Sequence, residues 1–149
     1  MIRAGFIGFG RMGITHFSIL NTHPSVKIVA VCDQSSTMLN ILKKYVDVKT
    51  YSDHKKMIAE EDLDFVVVST PSDSHAEIIK FAVNKNLHTF TEKPLALTEG
   101  EGREILSCLE GKAVVNQVGY VNRFNEVFME VKKLLDSAII GGVKSFSSE

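Results

Sequence analysis

The stretch that decides the fold is Gly8-Phe9-Gly10-Arg11-Met12-Gly13, which directly follows an apolar run from Ile2 to Ile7. Asp33 ends the next apolar run, about 20 residues beyond the third glycine. A strand, a glycine turn, a helix, a second strand and an acid at this spacing are typical of a dinucleotide-binding βαβ unit. A tight strand-to-helix turn without a ligand is the alternative, and the completeness of the unit argues against it.

Each part of this unit has a mechanical role. Gly8 lets the chain turn sharply off the strand, and the missing side chain of Gly10 lets a pyrophosphate approach the backbone. Gly13 lets the new helix pack closely on the sheet, and the N–H groups of its first turn attract phosphates. Asp33 is predicted to accept hydrogen bonds from both hydroxyls of the adenosine ribose.

Asp33 also predicts the choice of cofactor, which we expect to be NAD, with NADP less favoured. A carboxylate suits free ribose hydroxyls and repels a 2′-phosphate. Gln34-Ser35-Ser36 offers no adjacent arginine, and Lys43 and Lys44 lie too far along the next helix to compensate.

Composition narrows the class of protein. The chain has 149 residues and a formal net charge of −1, so nothing in its charge indicates a nucleic acid or an anionic membrane as partner. No apolar run approaches the roughly 20 residues of a membrane span. Cys32 and Cys108 form no disulfide or metal pattern, and the five histidines have no ligand spacing. We therefore expect reduced thiols, no metal site and a cytoplasmic location.

Strand and helix patterns alternate along the chain, which predicts an α/β fold with a doubly wound parallel sheet (Rossmann) over residues 1–122. The predicted strands are 2–8, 26–32, 48–51, 64–69, 87–91 and 112–120, and the predicted helices are 11–21, 35–45, 52–60, 72–86 and 98–109. Ser52 is the predicted cap of the third helix, and Thr98 with Glu101 has capping-box spacing.

Residues 123–149 form a predicted linker helix and the first strand, 143–148, of a second α/β domain that is absent from this chain. The helix carries one apolar stripe at helical spacing: Phe124, Val127, Phe128, Val131, Leu134 and Leu135. We expect part of the stripe to pack on the sheet and the rest, with Val143 and Phe146, to meet the second domain. Left exposed, the tail predicts self-association into a homo-oligomer.

A second group of polar residues, Ser69-Thr70-Pro71-Ser72 and His75, follows the fourth strand at the carboxyl edge of the sheet. Ligands bind at this edge where the strand order reverses. Thr70 and Ser72 can donate hydrogen bonds to a phosphate or a ribose. The alternative is a capped helix start with an exposed histidine.

Glu92-Lys93-Pro94 ends the fifth strand at the same edge. Glu92 can hydrogen-bond a ribose, and Lys93 can hold a positive charge beside a substrate hydroxyl. A solvated surface pair is the alternative for these two residues. Arg123, between the sixth strand and the tail helix, either binds an anionic group or braces the hinge.

Together these motifs, in this order and spacing, resemble the Gfo/Idh/MocA oxidoreductase family over the whole chain. Glu92-Lys93-Pro94 is the most specific element. The glycine motif, Thr70-Pro71-Ser72 with His75, and Arg123-Phe124 support it.

The resemblance implies an N-terminal Rossmann domain, a C-terminal α/β domain with an open sheet, and hydride transfer between NAD or NADP and a secondary hydroxyl of a small sugar or cyclitol. By resemblance, Lys93 is the catalytic residue beside the nicotinamide and the substrate. The predicted cofactor-binding residues are Gly8, Gly10, Arg11, Met12, Gly13, Asp33, Ser69, Thr70, Pro71, His75, Glu92, Lys93 and Arg123.

The chain departs from the family pattern in one respect. The family's acid/base histidine, often with an aspartate, comes from the second domain, and His75 is not that residue. The isolated chain is therefore expected to be inactive. A non-catalytic dinucleotide-binding module or sensor is the second hypothesis. A methyltransferase is the third, although Glu92-Lys93-Pro94 has no evident role there.

Overall fold

The computed structural model describes residues 1–139, 141–145 and 147, in which strands and helices alternate. The strands are β1 (Ile2–Ile7), β2 (Val26–Cys32), β3 (Lys49–Tyr51), β4 (Phe65–Val68), β5 (His88–Thr91) and β6 (Asn116–Val118). The helices are α1 (Arg11–Leu20), α2 (Ser36–Tyr45), α3 (His54–Glu60), α4 (His75–Asn84), α5 (Glu99–Leu109) and α6 (Glu126–Asp136). Among the described residues, no helix has the length and apolar content needed to cross a membrane.

The described strands form one six-stranded sheet in the order β3-β2-β1-β4-β5-β6, and every neighbouring pair is parallel. The chain winds outward from β1 through β2 to β3, then returns to β4 beside β1 and winds the other way. The predicted doubly wound Rossmann fold is confirmed. Strand order reverses between β1 and β4, so a crevice opens at the carboxyl ends of the strands there.

Successive side chains of a strand point to opposite faces of the sheet, and in this sheet the side chains on both faces are apolar. In β1, Phe6 packs with Phe17 of α1 and Leu39 of α2 on one face. Ile7 packs with Met57 of α3 and Ile78 of α4 on the other. Helices therefore cover both faces of the central strands, and polar side chains are left at the edge where the strands end.

One local prediction is confirmed and two are wrong. Thr98 and Glu101 form the expected capping box. The cap of α3, however, is Asp53 rather than Ser52, and its carboxylate accepts from the backbone of Lys55 at 2.8 Å.

The sixth strand was predicted at 112–120, but only Asn116–Val118 is a strand. Lys112 instead closes a turn onto the Leu109 carbonyl, with an N···O distance of 3.1 Å. In the described sheet β6 pairs on one side only, with β5. The apolar residues before Asn116 therefore lie outside the segment that pairs with β5.

The chain divides into two compact units, Met1–Gly119 and Tyr120–Glu149. In the second unit the Asn125 side chain caps α6, accepting from the Val127 amide at 3.0 Å. The predicted stripe lies on a 3-10 turn and α6, and its six side chains are 38% to 69% exposed. Residues 143–145 and 147 do not form the predicted strand. Phe146 and Ser148 lie outside the described residues.

Candidate functional site

The glycine turn between β1 and α1 is shaped by three glycines in different ways. Gly8 has φ +89°, and a Cβ there would lie 2.6 Å from the Ser69 carbonyl carbon. A Cβ on Gly13 would lie 2.3 Å from the Gly8 carbonyl oxygen. A Cβ on Gly10, in contrast, would meet nothing within 4 Å in the described chain. Gly8 and Gly13 therefore allow close packing, while Gly10 borders open space that a ligand can enter.

The N-terminus of α1 is ready to receive an anion. Its N-cap is Gly10, and no side chain in the described structure caps it. The N–H groups of the first turn are therefore left for an external acceptor, together with the positive end of the helix dipole. Arg11 and Met12 lie in this first turn with exposed side chains.

Asp33 is fastened at the mouth of the turn by two backbone amides. One carboxylate oxygen accepts from Phe9 at 2.6 Å, and the other accepts from Ser35 at 2.7 Å. Each oxygen keeps a second lone pair, so both can still accept from a ligand hydroxyl. The carboxylate thus joins the glycine turn to the start of α2 and holds a fixed orientation.

A cleft of about 690 Å³ opens along this edge of the sheet. Of the predicted residues, Gly8, Gly10, Asp33, Ser69, Thr70 and Pro71 line it together. Further lining side chains, which the sequence analysis did not assign to cofactor binding, are Gln34, Ser35, Ser52, His54, Asp73 and Glu77. His54 and Glu77 come from α3 and α4, and they belong to no motif because the packing of these helices on the sheet brings them to the cleft.

Cys32 and His54 in the cleft wall have altered pKa values. Burial raises the pKa of the Cys32 thiol to about 12, and the neighbouring Asp33 charge acts in the same direction, so the thiol stays protonated. Burial lowers the pKa of His54, whose Nε2 atom is enclosed without a partner among the described residues. A neutral imidazole in this wall can accept or donate one hydrogen bond without adding charge to the cleft.

His75 lies beneath the cleft and not on the surface. It is 1% exposed, so the alternative of an exposed histidine is wrong. Nδ1 lies 2.8 Å from the Pro94 carbonyl oxygen, and Nε2 lies 3.0 Å from the Thr70 carbonyl oxygen. A neutral ring can donate to only one of these acceptors at a time. His75 thereby connects the turn after β4 to the turn after β5.

Glu92 has a partner that the sequence analysis missed. Its Oε1 atom lies 2.6 Å from Nε2 of His16, in the middle of α1. Its Oε2 atom accepts from the Lys93 amide at 3.3 Å. Glu92 is thus half-buried and held, whereas the Lys93 side chain is exposed and the Lys93-Pro94 peptide is cis.

Arg123 belongs to the second unit. Its amide donates to the Tyr120 carbonyl at 3.0 Å within a 3-10 turn, and its side chain is exposed. Binding of an anionic group by Arg123 stays a prediction.

Comparison with known proteins gives consistent results. Residues 2–120 match the sequence profile of GFO_IDH_MocA, an oxidoreductase family with an NAD-binding Rossmann fold. The inositol 2-dehydrogenase of Salmonella typhimurium is 32% identical over 145 residues, which cover 94% of this chain and 43% of that protein. The scyllo-inositol 2-dehydrogenase (NAD(+)) of Bacillus subtilis is 28% identical over 142 residues, covering 94% and 42% of the two chains.

Solved structures agree with these matches. The scyllo-inositol dehydrogenase of Lactobacillus casei, crystallised with NAD(H) and scyllo-inositol, superposes with a TM-score of 0.85 at 28% identity. The superposition covers 95% of this chain and 42% of that one. The chain therefore spans less than half the length of the relatives that it matches.

Proposed function

This chain belongs to the Gfo/Idh/MocA oxidoreductase family, and we propose that it forms the cofactor-binding half of a dehydrogenase acting on a secondary hydroxyl of a sugar or cyclitol. The predicted family and the predicted NAD cofactor are confirmed, because the matching domain is an NAD-binding Rossmann domain. Supporting the substrate class, the relatives named above are inositol dehydrogenases.

One observation carries the proposal: the open space at Gly10 and the fixed carboxylate of Asp33 border the same cleft. The space at Gly10 leads to the uncapped N-terminus of α1, which suits a pyrophosphate. The two free lone pairs of Asp33 suit a pair of ribose hydroxyls, and its negative charge disfavours a 2′-phosphate. The residues present therefore fit NAD better than NADP.

The other predicted residues have supporting roles in this proposal. Ser69 donates to the Gly8 carbonyl at 2.8 Å, which holds the glycine turn against the end of β4. Thr70 and Pro71 form the wall opposite Asp33 across the strand reversal. His75 supports that wall from below through the Thr70 carbonyl.

The bound nicotinamide supplies hydride transfer, which no side chain can perform. Lys93 is proposed to hold the substrate hydroxyl by donating to its oxygen, and its ammonium group stabilises negative charge that develops there. The exposed position of Lys93 leaves it free to meet a substrate. The substrate pocket and the main acid/base group are assigned to the part of the relatives' length that this chain does not span.

The proposal is tested by a matched pair of glycine variants. Gly10→Val fills the open space beside α1, and we expect it to abolish NADH binding measured by calorimetry. Gly102→Val is the control, because a Cβ at Gly102 also meets nothing within 4 Å but lies on α5, away from the cleft. Normal NADH binding by Gly10→Val would show that the pyrophosphate does not lie on this turn.

A non-catalytic dinucleotide-binding module is the second candidate. The observation that favours it is that Lys93, the candidate catalytic residue, is not among the residues that line the described cleft. Both candidates bind NADH, so they are separated by a turnover assay on a panel of sugars and cyclitols, with this chain and with any longer product of the same gene.

A further inference from the structure

We propose that His16 is the positioning residue for the nicotinamide half of the cofactor site: it orients Glu92, and through Glu92 it sets the direction in which Lys93 leaves β5. The inference rests on the proposed function and adds a residue to it. His16 itself touches neither cofactor nor substrate in this proposal.

The contact between His16 and Glu92 is close and enclosed. Nε2 and Oε1 are 2.6 Å apart, and the two side chains are 19% and 13% exposed. The His16 and Phe90 rings pack edge to face, with the ring centroids 5.0 Å apart. A Cβ on Gly119 would lie 3.4 Å from the same Glu92 oxygen, so little room remains on that side. The carboxylate is therefore confined to one orientation.

Glu92 transmits this orientation to the next residue. Its second oxygen accepts from the Lys93 amide at 3.3 Å. A carboxylate that is mostly buried needs its donors, because desolvation is costly when a charge lacks partners. Without His16 we expect the carboxylate to turn toward solvent, and the Lys93 amide then loses its acceptor.

The strand order places His16 and Glu92 where the nicotinamide half of a dinucleotide would lie. Asp33 follows β2 on one side of β1, whereas Glu92 follows β5 on the other. The glycine turn lies between them, at the end of β1. A dinucleotide with its adenosine ribose at Asp33 and its pyrophosphate on α1 extends its remaining half toward β4 and β5. His16 reaches that half from α1, the helix that also carries the phosphate site.

The test compares two ligands, NADH and ADP, on the 149-residue chain, because ADP retains the adenosine and pyrophosphate but lacks the nicotinamide and its ribose. His16→Leu removes the donor. His16→Gln is the matched control, since its amide nitrogen can take the place of Nε2. We expect His16→Leu to weaken NADH about tenfold while leaving ADP within about twofold, and His16→Gln to restore most of the NADH affinity.

A second variant tests whether His16→Leu acts through its contact with Glu92 or through a general loss of structure. Glu92→Ala should also weaken NADH selectively, and the double variant His16→Leu with Glu92→Ala should add little to the larger single effect, because both changes break the contact between His16 and Glu92. Equal weakening of NADH and ADP, or no weakening of NADH, would overturn the role of His16. Failure of the unmodified chain to bind either ligand would instead overturn the proposed function.

Discussion

Asp33 connects stability to cofactor choice, because one carboxylate serves both the fold and the ligand. In the structure it accepts from the amides of Phe9 at 2.6 Å and Ser35 at 2.7 Å. A hydrogen bond to a charged group contributes about 1.5–3 kcal/mol. Asp33→Ala removes both bonds, of which only the Phe9 bond is partly buried, so we expect the free energy of unfolding to fall by about 2–4 kcal/mol.

The same substitution should lower the affinity for NADH. Two ribose hydroxyls lose a charged acceptor, and two such bonds at about 1.5 kcal/mol each correspond to a roughly 100-fold larger dissociation constant. NADPH should not weaken in parallel, because the charge that repels a 2′-phosphate is also removed. The preference for NADH over NADPH should therefore narrow sharply.

Urea unfolding and calorimetry with both dinucleotides measure these effects. Asp73→Ala is the control, because it removes another exposed carboxylate from the same cleft and hence the same charge. Asp33→Asn, which retains one acceptor oxygen, should fall between the unmodified chain and Asp33→Ala in both measurements. Tighter binding of NADPH than NADH by the unmodified chain would refute the role given to Asp33. An unchanged free energy of unfolding in Asp33→Ala would refute the role of Asp33 in stabilising the glycine turn.

Three further predictions follow from other parts of the molecule. Burial of Glu61 works against its charged form, but hydrogen bonds from Lys49 and Tyr51 outweigh it and hold the pKa of Glu61 below its ordinary 4.5. Stability from this contact is present above pH 4.5 and lost as the pH falls through the lowered value, so Glu61→Gln should flatten the acid side of a plot of unfolding free energy against pH. The isolated chain should produce no NADH from sugars or cyclitols, and robust turnover by the pure 149-residue chain would contradict this. In a longer, active gene product, Lys93→Ala should reduce kcat far more than it reduces cofactor affinity. The exposed apolar stripe of the second unit should cause self-association. Light scattering should therefore show a larger species for the full chain than for a version ending at Arg123. A monomeric full chain at high concentration would disprove this prediction.

Local patterns were sufficient to predict the fold. The alternation of β-branched runs with amphipathic helices indicates a parallel sheet, and Gly8, Gly13 and Asp33 indicate its binding edge. The capping box of Thr98 and Glu101 was also predictable, because its two members are three residues apart and depend only on the helix that they begin. Each of these features arises from neighbours in sequence.

Features that depend on distant partners were decided by the tertiary structure. His16 and Glu92 are 76 residues apart and meet only because α1 lies against the strands that end beside it. His75 is buried because the turns after β4 and β5 place the Thr70 and Pro94 carbonyls on either side of its ring. A sequence determines which residues can form such contacts through their chemistry. Which contacts form depends on how the helices pack on the sheet, since hydrogen bonds require their atoms within about 3 Å of each other.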